Sequence, residues 1–292
     1  MREATAAAPS RKGHGQSSDI LKRLKRNRLA MTGLVIIVLL ILMALLAPVI
    51  SPYPYEAMNL KNMHAAPDAR HWFGTDELGR DILSRIIYGA RYSLSLGILA
   101  IVYSYTAGIA LGSVAGYFSG MVDNVILRVM DIIQSIPGIL MAIIVSTVLG
   151  PGLTNTIIAM SFGNLPMSVR LLRANIMSIR KSEYLEAATA INCSPFRIML
   201  RHILPNAYSP LLVSATMSIG NTIMQAAALS YIGLGVQPPY AEWGAMLSGA
   251  RSFQRDHPHE LIFPGLFIML TVLAFNLLGD GLRDAMDPKL KN

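Results

Sequence analysis

The histidines of this 292-residue sequence are the first side chains to test for metal chemistry. His257 and His259 are separated by one proline, which forces an extended geometry between them. The single cysteine, Cys193, cannot complete a cysteine-based zinc cage around them. We therefore predict that this pair, and likewise His64 and His71, lie in ordinary loops, and that the chain binds no metal.

The groups needed for hydrolysis or nucleotide binding are also missing from the sequence. No lysine follows a glycine, so no Walker A loop is present to cradle phosphates. No HExxH motif, no recognisable serine–histidine–aspartate arrangement and no pair of carboxylates within an apolar stretch is found. The sequence predicts a chain that is not an enzyme, has no catalytic residue and binds no cofactor.

Four amide side chains interrupt otherwise apolar stretches: Asn164, Asn221, Gln225 and Asn276. Polar groups are costly in lipid, so each needs a partner or a role. We favour hydrogen bonds between helices, worth about 0.6 kcal/mol each, and keep the four as candidates for lining a polar pathway. Asp131 follows Arg128 by one helical turn, and we expect a local ion pair between them.

The segment 182–205 concentrates charged residues and helix-capping residues. Ser182 is suited to cap a helix whose first turn carries Glu183 and Glu186, the sign of charge that the helix dipole prefers. Asn192 is expected to end this helix, because asparagine tolerates the left-handed conformation better than most residues.

A second short helix is predicted to begin at Ser194 and Pro195, as N-cap and first helical residue, and to stop before Pro205. Its apolar residues recur at helical spacing, and Arg197 and Arg201 share the opposite face. Two helices this short need a surface on which to dock. That surface is either the protein's own helix ends or a soluble partner, and the residues alone favour neither.

The composition indicates that lipid surrounds these elements. Only 14% of the residues are charged and 53% are hydrophobic, whereas soluble domains have about 25% charged residues. The net charge of +8 comes from basic residues that flank apolar runs and are not interleaved with aromatic residues. We interpret them as topology signals for insertion among membrane lipids, and expect no nucleic-acid partner.

We predict an all-α, polytopic membrane bundle of six transmembrane helices with a cytoplasmic helical hairpin. The expected spans are 29–50, 92–117, 125–149, 153–172, 209–232 and 261–279. Residues 1–28 form an N-terminal tail, whose basic end is either an amphipathic surface helix or a simple stop to translocation. Residues 51–91 form an extracytoplasmic loop, 92–282 a five-helix core and 283–292 a second tail. The excess of lysine and arginine places both termini and 173–206 in the cytoplasm.

Two blocks of sequence carry a family resemblance. The residues Glu186-Ala187-Ala188, Asn192 and His202-Ile203-Leu204-Pro205-Asn206 resemble the coupling-loop signature of ABC importer permeases, although that family usually has glycine at the position of Asn192. The segment 71–94, HWFGTDELGRDILSRIIYGARYSL, resembles the dipeptide, oligopeptide and nickel branch, and within it the second, C-type permease of the pair. The tracts APVISPY at 47–53 and SYIGLG at 230–235 fit the same branch.

The resemblance implies one half of a translocation pathway for di- or oligopeptides in the plasma (inner) membrane. The implied partners are a second permease, an extracytoplasmic binding protein and two ATPase subunits, which hold ATP and Mg²⁺ and dock on 182–205. The implied docking residues are Glu183, Glu186, Ala187, Ala188, Asn192, Ser194, Pro195, Arg197, Arg201, His202 and Pro205. Nickel, glutathione or another small solute is the alternative substrate. The alternative class is an ion-coupled secondary transporter.

Overall fold

The computed structural model describes residues 15–286 of the chain, and within that range no strand is formed. A single isolated bridge pairs Thr75 with Asp81. The all-α fold class is therefore confirmed. Residues 1–14 of the predicted N-terminal tail and 287–292 of the predicted C-terminal tail lie outside the described residues.

The helices are named here in chain order. They are α1 (Gly15–Arg26), α2 (Arg28–Ile50), α3 (Ile82–Phe118), α4 (Gly120–Gln134), α5 (Gly138–Leu149), α6 (Leu153–Ile179), α7 (Glu183–Ala190), α8 (Pro195–Ile198), α9 (Leu204–Tyr231), α10 (Trp243–Ala250) and α11 (His259–Met286). Short 3₁₀ turns occupy Leu60–Asn62 and Arg251–Phe253, and a π-helical turn joins α8 to α9.

Helix α3 begins about ten residues before the predicted span, inside the segment 51–91 that the sequence assigns to a loop. The carboxylate of Asp81 caps this early start by accepting a 2.7 Å hydrogen bond from the amide of Ser84. The prediction placed the boundary after Arg91, because residues 51–91 carry mixed charge and turn-forming residues. In the structure Arg85 is buried among loop residues and pairs with Asp76, so the helix can begin earlier.

The predicted span 125–149 is not one straight helix, which corrects the sequence prediction. Helices α4 and α5 meet at an angle of 86° across a short break. Pro137 lies in that break, lacks an amide hydrogen and disfavours helical geometry in the residue before it. The predicted break at 150–152 is present, and both glycines there, Gly150 and Gly152, have positive φ.

The number of spans stays a prediction. Among the described residues, three helices (α2, α3 and α11) are long and apolar enough to cross a membrane, or four if the bent pair α4–α5 counts as one span. Helices α6 and α9 have 27 and 28 residues, which is also long enough, but they carry more polar side chains.

Helix α3 organises the bundle. Its 37 residues extend over about 55 Å, and it packs along α6 and against α2 and α9. Its first residue donates a backbone hydrogen bond to Gly74, in what we call the loop layer, residues 51–81 and 232–258. Near its last residue, Tyr117 lies 5.8 Å from the Arg180 guanidinium, beside the 182–205 hairpin. The loop layer and the hairpin therefore lie at opposite ends of α3.

Candidate docking hairpin and polar helix faces

One face of the 182–205 hairpin is buried in the protein. The four anchoring side chains are Leu185, Ala188, Ile198 and Ile203. They pack in one apolar cluster with Leu172 and Ile176 of α6 and with the start of α9. The hairpin is thus attached to two long helices of the bundle, α6 and α9. Of the two docking surfaces that the sequence left open, the ends of the protein's own helices therefore provide one.

The turn of the hairpin has the geometry predicted from its sequence. Asn192 has φ of +59°, in the left-handed region. The amide of Cys193 donates to the carbonyl of Ala188 at 3.1 Å, the six-to-one bond of a Schellman cap. The hydroxyl of Ser194 accepts from the amide of Arg197 at 3.4 Å, and Pro195 occupies the first helical position.

The opposite face of the hairpin is exposed and mixes charge with large apolar side chains. Ile191 is 77% exposed and Phe196 is 75% exposed, and charged side chains of both signs lie beside them. The predicted docking residues on this face are Glu183, Glu186, Ala187, Asn192, Ser194, Pro195, Arg197, Arg201 and Pro205, all of them exposed. His202 is half-buried and Ala188 is buried, so Ala188 supports the hairpin from beneath.

Two details of the hairpin differ from the sequence expectation. The hydroxyl of Ser182 donates to the carbonyl of Ile179 at 2.6 Å, and it is the backbone carbonyl of Ser182 that accepts from the first amides of α7. The second helix does not stop before Pro205. It continues through the π turn into α9, where the amide of Leu204 bonds to the carbonyl of Met199, five residues back. A widened turn accommodates the missing proline amide without ending the helix.

The four amides predicted inside the bundle lie on three helices. Asn164 of α6 donates to the Thr222 hydroxyl of α9 at 3.1 Å, which is an interhelical hydrogen bond of the expected kind. Asn221 is exposed and Gln225 half-buried on α9, one helical turn apart, and Asn276 is half-buried on α11. Asn221 and Gln225 therefore give α9 a polar strip on a partly uncovered face.

Two ion pairs between α4 and α6 were not predicted. Arg170 contacts Asp131 at 2.5 Å, so the partner of Asp131 comes from α6, not from Arg128 as expected. Arg173 binds both carboxylate oxygens of Asp123, which is nearly buried. Sequence spacing could not show either pair, because the partners are 39 and 50 residues apart.

The loop layer holds its charges in pairs and caps. Asp76 accepts from Arg80 at 2.7 Å and lies 3.4 Å from Arg85. Glu242 is fully buried and caps α10, accepting from the amides of Gly244 and Ala245 at 2.9 and 2.8 Å. Burial raises the pKa of the Glu242 carboxyl, against the opposing effect of these amide donors.

Where the loop layer meets α11, residues that are far apart in the sequence lie close together. His64, from the loop before α3, lies 2.6 Å from Glu260 at the start of α11, and its ring stacks on His257. His71 bonds to Asp81 at 2.9 Å and is separate from this group. The sequence feature that could have indicated this cluster is Glu260, an acidic residue in the first turn of a long apolar helix.

Comparison with known proteins supports a single family. Residues 108–292 match the family described as "Binding-protein-dependent transport system inner membrane component", and residues 15–67 match the "N-terminal TM domain of oligopeptide transport permease C". The dipeptide transport system permease protein DppC of Alkalihalophilus pseudofirmus is 46% identical over 274 residues, covering 94% of this chain and 90% of the relative. The glutathione transport system permease protein GsiD of Escherichia coli O157:H7 is 47% identical with the same coverage.

Solved structures show the same fold. Inward-facing MetNI, a methionine ABC transporter, superposes with a TM-score of 0.57 at 17% identity, covering 70% of this chain and 98% of the matched one. An amino acid ABC transporter gives a TM-score of 0.51 at 18% identity, covering 68% of this chain and 92% of that one. With the family match over most of the sequence, the chain belongs to the inner membrane components of binding-protein-dependent transport systems and is a permease subunit of an ABC importer.

Proposed function

We propose that this chain forms half of a peptide pathway and is driven through its 182–205 hairpin by separate ATPase subunits. The observation that carries the proposal is the two-sided character of the hairpin. One face is anchored by Leu185 and Ile203, while the other exposes Phe196 and Ile191 together with charges of both signs. A surface of this composition, fixed to a rigid support, is typical of a docking site.

The anchoring suggests how movement would pass into the bundle. The hairpin continues directly into α9 and packs on α6, and α6 and α9 are joined by the Asn164–Thr222 hydrogen bond. A partner that pulls on the exposed face would therefore move α6 and α9 together. Closure of an ATPase pair would tilt these helices and alternate the access of the pathway.

Charged side chains would set the register of docking. Glu186 would meet a basic group on the ATPase subunit, and Arg197 and Arg201 would meet acidic residues around its cleft. All three are exposed in the structure, so they are available to a partner. Complementary charge of this kind steers association and fixes orientation more than it adds affinity.

The pathway itself would lie between this chain and a second permease. The polar strip of Asn221 and Gln225 on α9 is the part that we assign to its wall, with Asn276 of α11 as a further candidate. Asn164 is already bonded to Thr222 and would position α9. An ion-coupled secondary transporter, the alternative class, gains no support from the family match.

The remaining partners and the location follow from the family. A binding protein would deliver substrate to the loop layer, at the opposite end of α3 from the hairpin, and both termini would be cytoplasmic in the inner membrane. ATP and Mg²⁺ would belong to the ATPase subunits. The substrate would be a small peptide, since one relative is named for dipeptides and another for glutathione, itself a peptide. Nickel or another small solute is the alternative, tested by ligand binding to the delivering protein.

The docking role is tested by Glu186→Arg in the assembled complex in proteoliposomes. We expect peptide uptake to fall at least tenfold, and substrate-stimulated ATPase activity with it, because a repulsive charge pair replaces an attractive one at the interface. Asp284→Arg makes the same charge change on an exposed residue of α11, outside the hairpin and the loop layer, and should leave both activities unchanged. Normal coupling in Glu186→Arg would refute the docking assignment.

A further inference from the structure

Three potential metal ligands from two distant parts of the chain converge in the loop layer. One donor atom from each of His64, His257 and Glu260 can be chosen so that all lie within 4.8 Å of one another. The Nδ1 atom of His64 is 2.6 Å from an oxygen of Glu260. The rings of His64 and His257 stack with centroids 4.4 Å apart and 9° between their planes.

The second carboxylate oxygen of Glu260 provides evidence for a ligand. The Glu260 side chain is only 2% exposed. Its Oε2 atom has no hydrogen-bond partner among residues 15–286, and neither does the buried Nε2 atom of the adjacent His259. A buried carboxylate oxygen without a donor is costly, and such a group in a folded protein calls for an explanation. A bound cation would satisfy it.

The backbone around the cluster is fixed by hydrogen bonds. The amide of His257 donates to the carbonyl of Phe253 at 2.8 Å, and the amide of Glu260 donates to His257 at 3.2 Å. The amide of His64 donates to Asp76 at 3.1 Å, while its ring also packs on Phe253 with centroids 4.3 Å apart. Only rotation of side chains separates this arrangement from a closed site.

We infer that His64, His257 and Glu260 form a binding site for a divalent transition-metal ion such as Zn²⁺, Ni²⁺ or Co²⁺. Two imidazoles and one carboxylate are a donor set for these ions, whereas Mg²⁺ and Ca²⁺ prefer oxygen ligands alone. Bonds of about 2.1 Å in a tetrahedral site hold donor atoms about 3.4 Å apart, so the side chains close inward on binding. In the tautomer with its proton on Nε2, His64 offers Nδ1 to the ion.

The ion would link the loop before α3 to the start of α11. His64 belongs to the loop before α3, and His257 and Glu260 belong to the entry into α11, about 190 residues later. A metal bond across them ties the first loop to the last helix and stabilises the folded layer. The inference differs from the expectation from sequence that the chain holds no metal, although His64 and His257 do lie in loop segments as predicted.

The site is tested with Co²⁺ on the assembled complex, purified without a histidine tag and treated with chelator. We expect the unaltered complex to bind one more Co²⁺ per copy of this chain than the His257→Gln complex does. The bound Co²⁺ is detected by visible ligand-field absorption, and Zn²⁺ should displace it. His257→Gln and Glu260→Gln should each weaken this binding at least tenfold. His71→Gln removes a histidine outside the cluster and should bind Co²⁺ as the unaltered complex does.

Wild-type size-exclusion behaviour and ATPase activity of His257→Gln would show that the fold is intact, since glutamine keeps a polar side chain at this half-buried position. Equal Co²⁺ binding by the unaltered complex and His257→Gln, or no Co²⁺ bound by either, would overturn the inference. Binding is measured without peptide or ATP, so either result is independent of the docking role proposed for the hairpin.

Discussion

At the scale of single residues, Asn192 determines the shape of the hairpin turn. Its φ of +59° is a conformation that most residues adopt only with strain, and asparagine is one of the few that tolerate it. The coupling-loop signature that this segment resembles usually has glycine at the same place. Asparagine keeps the Schellman hydrogen bond and adds a polar side chain to the exposed turn.

The Asp123–Arg173 pair gives a prediction at the residue scale. The Asp123 side chain is 7% exposed and that of Arg173 is 24% exposed, so Asp123→Ala leaves a partly buried guanidinium without its partner. We expect the free energy of unfolding to fall by about 1–3 kcal/mol, measured as thermal unfolding in detergent. Asp131→Ala breaks the more exposed pair and should cost less than about 1 kcal/mol.

A double variant separates the pair from other effects of the substitution. Asp123→Ala combined with Arg173→Ala removes the unpaired charge and should recover part of the lost stability. If Asp123→Ala proves no more harmful than Asp131→Ala, the bidentate contact between α4 and α6 is not a significant source of stability.

Helices α3 and α6 pack closely because α3 presents glycine every fourth residue. The sequence of this span, 92–117, is rich in glycine and alanine, and small residues favour close helix packing in lipid. In the structure Gly108 contacts Ser168, Gly112 lies against the carbonyl of Val169 and Gly116 lies against Ile176. The sequence indicated that the helix packs closely, but not that α6 is the partner.

This packing predicts that two glycine-to-alanine substitutions, both within helices, differ in their effect on the stability of the chain. A Cβ atom at Gly112 would lie 2.8 Å from the backbone oxygen of Val169, which cannot move aside as a side chain does. We expect Gly112→Ala to destabilise the chain by about 1–3 kcal/mol, seen as a lower melting temperature. Gly265→Ala in α11 meets nothing within 4 Å and should be neutral or stabilising. Equal melting temperatures would contradict the close approach of α3 and α6.

Across the whole molecule, the hairpin and the loop layer occupy the two ends of α3. This separation suits a transporter that receives substrate at one end and mechanical force at the other. The proposed orientation assigns the hairpin to the cytoplasm, in agreement with the basic residues of 173–206. The exposed leucines and valines of α2, among them Leu45 and Val49, suit contact with lipid or a second permease.

The single cysteine tests this orientation. Cys193 lies in the hairpin turn and is partly exposed. We expect a membrane-impermeant maleimide to label it in inside-out vesicles and not in right-side-out vesicles, and docked ATPase subunits to slow the labelling. A chain with Cys193→Ser and Gln254→Cys carries its thiol on the loop layer and should show the reverse pattern. Labelling of Cys193 only from outside the cell would leave the ATPase no access to the hairpin.

Local patterns in the sequence determined the helical class, the approximate location of the apolar helices and the left-handed turn at Asn192. These features depend on hydrophobicity along the chain and on the conformational preference of single residues, which are readable without a partner. The resemblance of the 182–205 and 71–94 blocks, in turn, indicated the family.

Only the tertiary structure decided which residues meet across long separations. It paired Asp131 with Arg170 instead of Arg128, and it placed His64 against Glu260, 196 positions further along the sequence. It also buried Arg85 in the loop layer, where an ion pair allows α3 to begin early. These outcomes depend on how helices pack in three dimensions, because the energy of a charge is set by its surroundings and partner and not by its neighbours in sequence.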